Sequence, residues 1–253
     1  MRDGTPAPHL PLVALRGVDK VYSNGVEALK GLDLTIREGE FVSLLGPSGC
    51  GKSTVLRLIA GLGDLTRGTI EWSSVRHEIG FVFQDPTLMP WASVFNNIYL
   101  PLRVRGMKRS EAAPRIEQAM EQVGLAGFAD AYPRELSGGM RMRVSIARAL
   151  VAEPKILLMD EPFAALDEIT RFKLNDDLLA LWAKHHWTVV FVTHSVFESV
   201  YLSSRIVVMS ARPGRVSSEV TLDGKRDPAF RTSAAYAEQC RTVSAKLAEA
   251  MQA

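Results

Sequence analysis

Nine consecutive residues, Gly46, Pro47, Ser48, Gly49, Cys50, Gly51, Lys52, Ser53 and Thr54, are of the types that can hold a phosphate chain. They fit G-x-x-x-x-G-K-[ST] and add one threonine. The apolar run Phe41–Leu45 precedes them and a helix-like stretch from Val55 to Ala60 follows, the strand–loop–helix setting that this motif requires. Glycines let the backbone curl so that its N–H groups face phosphate oxygens, and a helix N-terminus adds partial positive charge. Lys52 can reach the β- and γ-phosphates, and the Ser53 hydroxyl can ligate Mg²⁺. A second candidate is Asp160-Glu161 at the end of the apolar run Ile156–Met159. Asp160 fits a role in holding Mg²⁺, directly or through water. Glu161 could polarise a water that attacks the γ-phosphate. Ser137-Gly138-Gly139 before the basic amphipathic stretch Arg141–Leu150 makes another anion-binding helix end, or simply an N-capped helix.

The elements that would position these groups can be read from periodicity. Leu12–Tyr22, Gly31–Ile36 and Thr69–Trp72 read as short strands around turn signals such as Ser23-Asn24-Gly25. Ile79–Phe83, Ile156–Met159, Val189–Thr193 and Ile206–Met209 are apolar strand-like runs. From about residue 86 to 149 strand patterns vanish and helical ones dominate, as in Glu111–Val123, with Pro90, Pro101, Pro114 and Pro133 as punctuation. Helical stretches return at Thr170–Lys184 and Phe197–Leu202, and the tail after Arg226 is helix-like. Buried strands separated by helices imply a parallel sheet covered on both faces. The expected organisation is a lead over 1–11, an α/β domain over 12–225 with a helical insert over about 86–149, and a helical tail over 226–253.

Composition narrows the class. The chain has 253 residues, 47% apolar and 23% charged, as in a soluble globular protein. A net charge of +2 gives no electrostatic case for nucleic acid or an anionic membrane. No apolar run approaches the roughly 18–20 residues that cross a bilayer, and the N-terminus lacks the apolar segment of a signal peptide. Cys50 and Cys240 cannot make a disulfide scaffold, so a reducing cytosol is the natural setting. His9, His77, His185 and His186 read as surface residues.

The stretch Glu135–Leu150, ELSGGMRMRVSIARAL, resembles the signature of ATP-binding cassette (ABC) ATPases. Its companions appear in family order, so the resemblance spans Leu12 to Val216. It implies an α/β P-loop NTPase of ABC type, a RecA-like core with an antiparallel β part and a helical subdomain. It further implies that Tyr22 stacks on adenine, that Gln84 contacts Mg²⁺ and senses the γ-phosphate, and that His194 hydrogen-bonds the γ-phosphate. Ala165-Leu166-Asp167 matches a loop that lies across a dimer interface in the family. Met140 and Met142 stand where related chains have glutamine, which leaves the tuning of turnover open.

The resemblance implies a head-to-tail homodimer. ATP with Mg²⁺ would be bound by Lys52, Ser53, Gln84, Asp160, Glu161 and His194 of one chain and by Ser137 and Gly139 of the other. The segment Gln84–Trp91 is where the family receives a short coupling helix of a membrane permease. Gln84–Ile98 and Asp160–Arg171 most resemble the nitrate, sulfonate and taurine branch of bacterial importers; Val192–Arg215 is also similar to members assigned to pyrimidine or thiamine-precursor uptake. The implied protein is a peripheral ATPase subunit at the cytoplasmic face of the bacterial inner membrane, served by a periplasmic or lipid-anchored solute-binding protein, with no nucleic-acid partner. The rival class is a non-transport ABC ATPase, but repair members carry a long coiled-coil insertion and translation-factor members usually carry two cassettes.

Overall fold

The computed structural model describes residues 10–73, 78–224 and 226–252. Residues 1–9 of the expected lead, with His9, and His77 lie outside them. In chain order the first elements are β1 (Pro11–Val21), β2 (Glu27–Arg37), β3 (Phe41–Leu45), α1 (Lys52–Ala60), β4 (Arg67–Trp72) and β5 (Ile79–Val82). Then come α2 (Val94–Val104), α3 (Arg109–Gln122), α4 (Gly138–Leu150) and β6 (Ile156–Asp160). The last are α5 (Glu168–His185), β7 (Thr188–Thr193), α6 (Val196–Leu202), β8 (Arg205–Met209), β9 (Val216–Thr221) and α7 (Ala234–Gln252). The chain divides into two compact units, Met1–Arg76 with His186–Ala253, and His77–His185.

In the first unit β3 lies between β7 and β8 and runs parallel to both. Every residue of these three strands is buried, which is why they read as unbroken apolar runs. The expected parallel sheet carries an antiparallel strand that the sequence reading did not place, β9, which pairs with β8. Its sequence, Val-Ser-Ser-Glu-Val-Thr, alternates between half-buried and exposed positions, so it carries no apolar run to betray it. A separate antiparallel sheet has the order β2-β1-β4. β2 begins at Glu27, four residues earlier than the apolar pattern predicts, because Lys30 and Gly31 interrupt its alternation while Ala28 and Leu29 are still buried. The C-terminal helix α7 belongs to this unit's core: Cys240, Val243 and Ala250 pack with Leu45, Val200, Ile206, Val208 and Leu222.

A buried ion cluster ties the two sheets of this unit together. Arg205 on β8 donates to Glu40 Oε1 at 2.7 Å, to Glu40 Oε2 at 3.1 Å, to Glu219 Oε2 on β9 at 2.9 Å and to the Thr35 carbonyl on β2 at 2.6 Å. Burial alone would push this guanidinium down; its hydrogen bonds and charge interactions with Glu40 and then Glu219 hold it above the ordinary arginine value.

In the second unit β5 and β6 are parallel partners. Helix α2 is capped by Ser93 and α4 by Ser137, each side chain accepting a backbone N–H of the first turn. Pro101 and Pro114, expected as punctuation, instead lie inside α2 and α3. His185 closes α5 partly buried, with its Nε2 3.4 Å from Gln122 Nε2, and burial and then the Lys184 charge hold its pKa below the ordinary value. It is therefore not a plain surface residue.

Removing one member of a buried ion pair leaves the other charge uncompensated. Glu40→Ala is expected to lower the unfolding free energy by about 3 kcal/mol, read as a lower urea midpoint at unchanged slope. An unchanged midpoint would mean that the cluster contributes nothing to stability.

Candidate functional site

The phosphate loop runs from the buried end of β3 into α1, as the flanking pattern predicts. Gly49 and Gly51 hold φ of 76° and 102°, in the left-handed region where a side chain is strained. Gly51 is also the N-cap of α1, with no side-chain cap and no acid in the first turn. The first N–H groups of α1 thus have no side-chain acceptor from the cap, the arrangement that serves anions. Lys52 is only 4% exposed, and its ammonium donates to the carbonyls of Gly46 at 2.8 Å and Pro47 at 2.9 Å. Its charge therefore sits inside the loop it belongs to. Ser48 and Gly49 are exposed, while Gly46, Cys50 and Thr54 are buried. Burial pushes the Cys50 thiol up despite Lys52 at 3.9 Å, so it is an inert packing group at neutral pH.

The loop sits in a socket made of backbone. A Cβ on Gly46 would come within 2.9 Å of the Met209 carbonyl, and one on Gly51 within 2.8 Å of the Ala28 carbonyl. The turn after β8 closes the socket. Gly214 N donates to the Ala28 carbonyl at 2.9 Å, and a Cβ on Gly214 would lie 2.0 Å from the Cys50 carbonyl. Arg212 Nε donates to the Gly49 carbonyl at 3.1 Å. Sequence reasoning missed Arg212 and Gly214; the Pro213-Gly214 dipeptide signals a turn but not what the turn touches.

Two further expected residues fall in this unit. Tyr22 follows β1, and its hydroxyl lies 3.0 Å from Thr54 Oγ1, so the structure brings it to the phosphate loop. Lys20 Nζ stands 5.2 Å from its ring centroid. His194 follows β7 and is exposed. Its turn is fixed on the far side. Thr193 Oγ1 donates to Glu198 Oε2 at 2.5 Å and accepts from Ser195 N at 3.0 Å, and Ser195 Oγ caps α6 by accepting Glu198 N at 3.3 Å.

The remaining expected residues belong to the second unit. Asp160 is the buried last residue of β6. Glu161 follows with φ of 45°, a left-handed conformation strained for a residue with a side chain, of the kind that clusters at functional sites. Gln84 lies exposed in a bend just after β5. Ser137 is exposed at the start of α4, and its Oγ accepts Met140 N at 3.2 Å. Ser137 thus caps α4 while remaining exposed. A Cβ on Gly139 would meet Thr170 Cγ2 at 2.6 Å, so the start of α4 packs closely on α5. Met142 is buried in the core and is no part of the exposed helix end. Asp167 Oδ1 accepts Thr170 N at 2.9 Å, and hydrogen bonds from Thr170 hold its carboxyl below the usual range.

Among the described residues no group of three or more His, Cys, Asp and Glu side chains could hold a metal ion. Taken singly, the Ser53 hydroxyl, the Gln84 amide and the Asp160 carboxylate are hard oxygen donors of the kind Mg²⁺ takes.

A family model described as ABC transporter matches residues 29–164. The chain is 47% identical over 224 residues, 86% of it and 90% of its relative, to the aliphatic sulfonates import ATP-binding protein SsuB 1 of Pseudomonas syringae pv. syringae. It is 42% identical over 220 residues, 85% of it and 83% of its relative, to the nitrate import ATP-binding protein NrtD of a Synechocystis strain. Among solved structures it resembles an ATP-binding cassette dimer in a post-hydrolysis state bound to ADP and Pi. The TM-score is 0.75 at 36% identity, covering 85% of this chain and all of that one.

The socket makes a specific demand. Gly214→Ala is expected to push on the Cys50 carbonyl and raise the dissociation constant for ATP by about tenfold, a loss of roughly 1.4 kcal/mol. Titration with a fluorescent ATP analogue checks it, and wild-type affinity would show that the loop does not depend on its seat.

Proposed function

The chain belongs to the ABC transporter family, and on that premise we propose that it is the ATP-hydrolysing subunit of an importer, working as a homodimer on a membrane permease. What supports this most is that one chain carries two glycine-bearing helix N-termini, the phosphate loop at α1 and Ser137-Gly138-Gly139 at α4, each of a kind that can take an anion. A single-chain nucleotide site has no use for the second. In a twofold dimer each end completes the other's site. The solved cassette named above is likewise a dimer.

In this reading Lys52 and the loop N–H groups cradle the β- and γ-phosphates, and Tyr22 takes the adenine on its ring face. Ser53, Gln84 and Asp160 hold Mg²⁺, which supplies neutralisation of the phosphate charge. Glu161 accepts the proton of the attacking water on its carboxylate, and the His194 imidazole hydrogen-bonds the γ-phosphate. Ser137 and Gly139 of the partner copy close over the same phosphate and exclude bulk water. Tight binding of ATP and weaker binding of the products then drive closing and reopening.

The reading extends to the partner. The second unit carries an open groove of about 380 Å³ lined by Met89, Trp91, Ala92, Asn96, Tyr99, Leu100, Arg103 and Arg109. Trp91 is 77% exposed there. Met and aromatic side chains at an exposed groove suit a helix that packs against it. Of the expected segment Gln84–Trp91, Met89 and Trp91 line the groove and Leu88 does not. The occupant would be a short cytoplasmic helix of the permease, which would hold this subunit at the cytoplasmic membrane face. Among the described residues no helix is long and apolar enough to cross a membrane. The relatives' names suggest a small oxyanion, a sulfonate or nitrate, as cargo, delivered by a solute-binding protein.

Glu161→Gln is expected to lower kcat by about 10²-fold or more, within the range a general base supplies, while the ATP-bound dimer accumulates on size exclusion. Hydrolysis at the wild-type rate would sink the role given to Glu161. Independently, Trp91→Glu should abolish co-purification with the permease while leaving ATP binding intact. Full retention of the permease counts against the groove.

A further inference from the structure

The nine residues after Gln84 follow an irregular path, and polar side chains hold both of its ends. At the near end Arg148, on the last turns of α4, donates to the Pro86 carbonyl at 2.8 Å, the Thr87 carbonyl at 2.9 Å and Thr87 Oγ1 at 3.1 Å. Thr87 holds φ of 47°, a strained conformation for a β-branched residue, and its N–H is taken by Asp85 Oδ1 at 3.3 Å. Burial holds the Arg148 guanidinium below the ordinary arginine value, so these carbonyls stand in for water it has lost. At the far end the fully buried Asn97 on α2 grips the chain from both sides. Its Oδ1 accepts Met89 N at 2.8 Å, and its Nδ2 donates to the carbonyls of Met89 at 3.2 Å, Ala92 at 3.0 Å and Ser93 at 3.1 Å. Met89 and Trp91 in the same segment form the groove wall.

We infer that Arg148 is a positioning residue for Gln84. It fixes the Pro86–Thr87 backbone to α4, and so ties the helix that begins at Ser137 to the loop that carries Gln84 at one end and the groove wall at the other. A guanidinium makes several directed bonds at once from a planar fork, which a lysine ammonium cannot copy. Arg148 thereby limits where the Gln84 amide can point, and a displacement of Trp91 and Met89 is passed along a held strut instead of being lost in a slack loop. The inference rests on the role given to Gln84 under Proposed function.

The test is a double-mutant cycle on the homodimer's ATPase at saturating Mg-ATP. Q84A is expected to lower kcat by about tenfold. R148K should lower kcat by about fivefold with the KM for ATP within about twofold of wild type, a split that places the loss after binding. If Arg148 acts through Gln84, the Q84A/R148K double variant is no slower than Q84A alone. Wild-type kcat in R148K, or losses that multiply in the double variant, overturns the proposal. Wild-type kcat in Q84A overturns the role of Gln84 itself, and the proposal with it, and is told apart because it appears without any change at Arg148. Should R148K fail to fold, T87P carries the test: the residue is exposed, and a proline ring holds φ at about −65°, so the backbone must leave the φ of 47° that aims its carbonyl at Arg148. A severalfold drop in kcat supports the inference, and a wild-type kcat overturns it.

Discussion

A loop that offers backbone N–H groups to an anion has to keep them aimed, and the protein meets this by clamping the loop with other backbone. Gly46 against Met209, Gly51 against Ala28 and Gly214 against Cys50 are approaches with no room for a side chain. Lys52 completes the device by bonding two carbonyls of its own loop. Its charge is thereby held where phosphate charge would be neutralised, with little reorganisation needed on binding. The buried strands β3, β7 and β8 supply the rigid floor beneath the loop.

The second unit answers a different constraint. In the proposed function its exposed groups respond both to a nucleotide and to a partner, and they sit on short irregular segments pinned by side chains. Arg148 and Asn97 hold the segment after Gln84, Ser137 caps its own helix, and the Glu161 backbone takes a left-handed turn straight after β6. Arg148 and Asn97 each satisfy buried polar groups, so each stabilises the unit and holds the segment's path at once.

Much of this was legible in the sequence because the relevant signals are local. The phosphate loop needs its glycines, lysine and serine in consecutive order, and β3 and α1 flank it where the apolar runs predict. Asp160 could be placed at a strand end because the four apolar residues Ile156–Met159 run straight into it. What stayed hidden depends on distant pairs. Nothing near Gly214 announces that its Cα must pass against Cys50, and Asn97 looks like any helix polar residue until its four backbone partners are seen. β9 was lost because a half-exposed edge strand has no apolar run. The roles of Tyr22, Gln84 and His194 came from resemblance to a family, since a lone tyrosine, glutamine or histidine carries no motif.

The central claim is that each chain holds half of two sites. The most direct measurement mixes two inactive variants, Lys52→Ala, which lacks the phosphate-loop cation, and Ser137→Arg, which blocks the opposite helix end. Each homodimer is defective at both of its sites. In the mixed dimer one site collects both defects and the other collects none. ATPase activity that is absent from either variant alone and reappears on mixing, rising to a maximum near equal amounts, is the predicted result. Mixtures that stay as inactive as their components at every ratio, although mixed dimers form, would contradict the account and place the whole site within one chain.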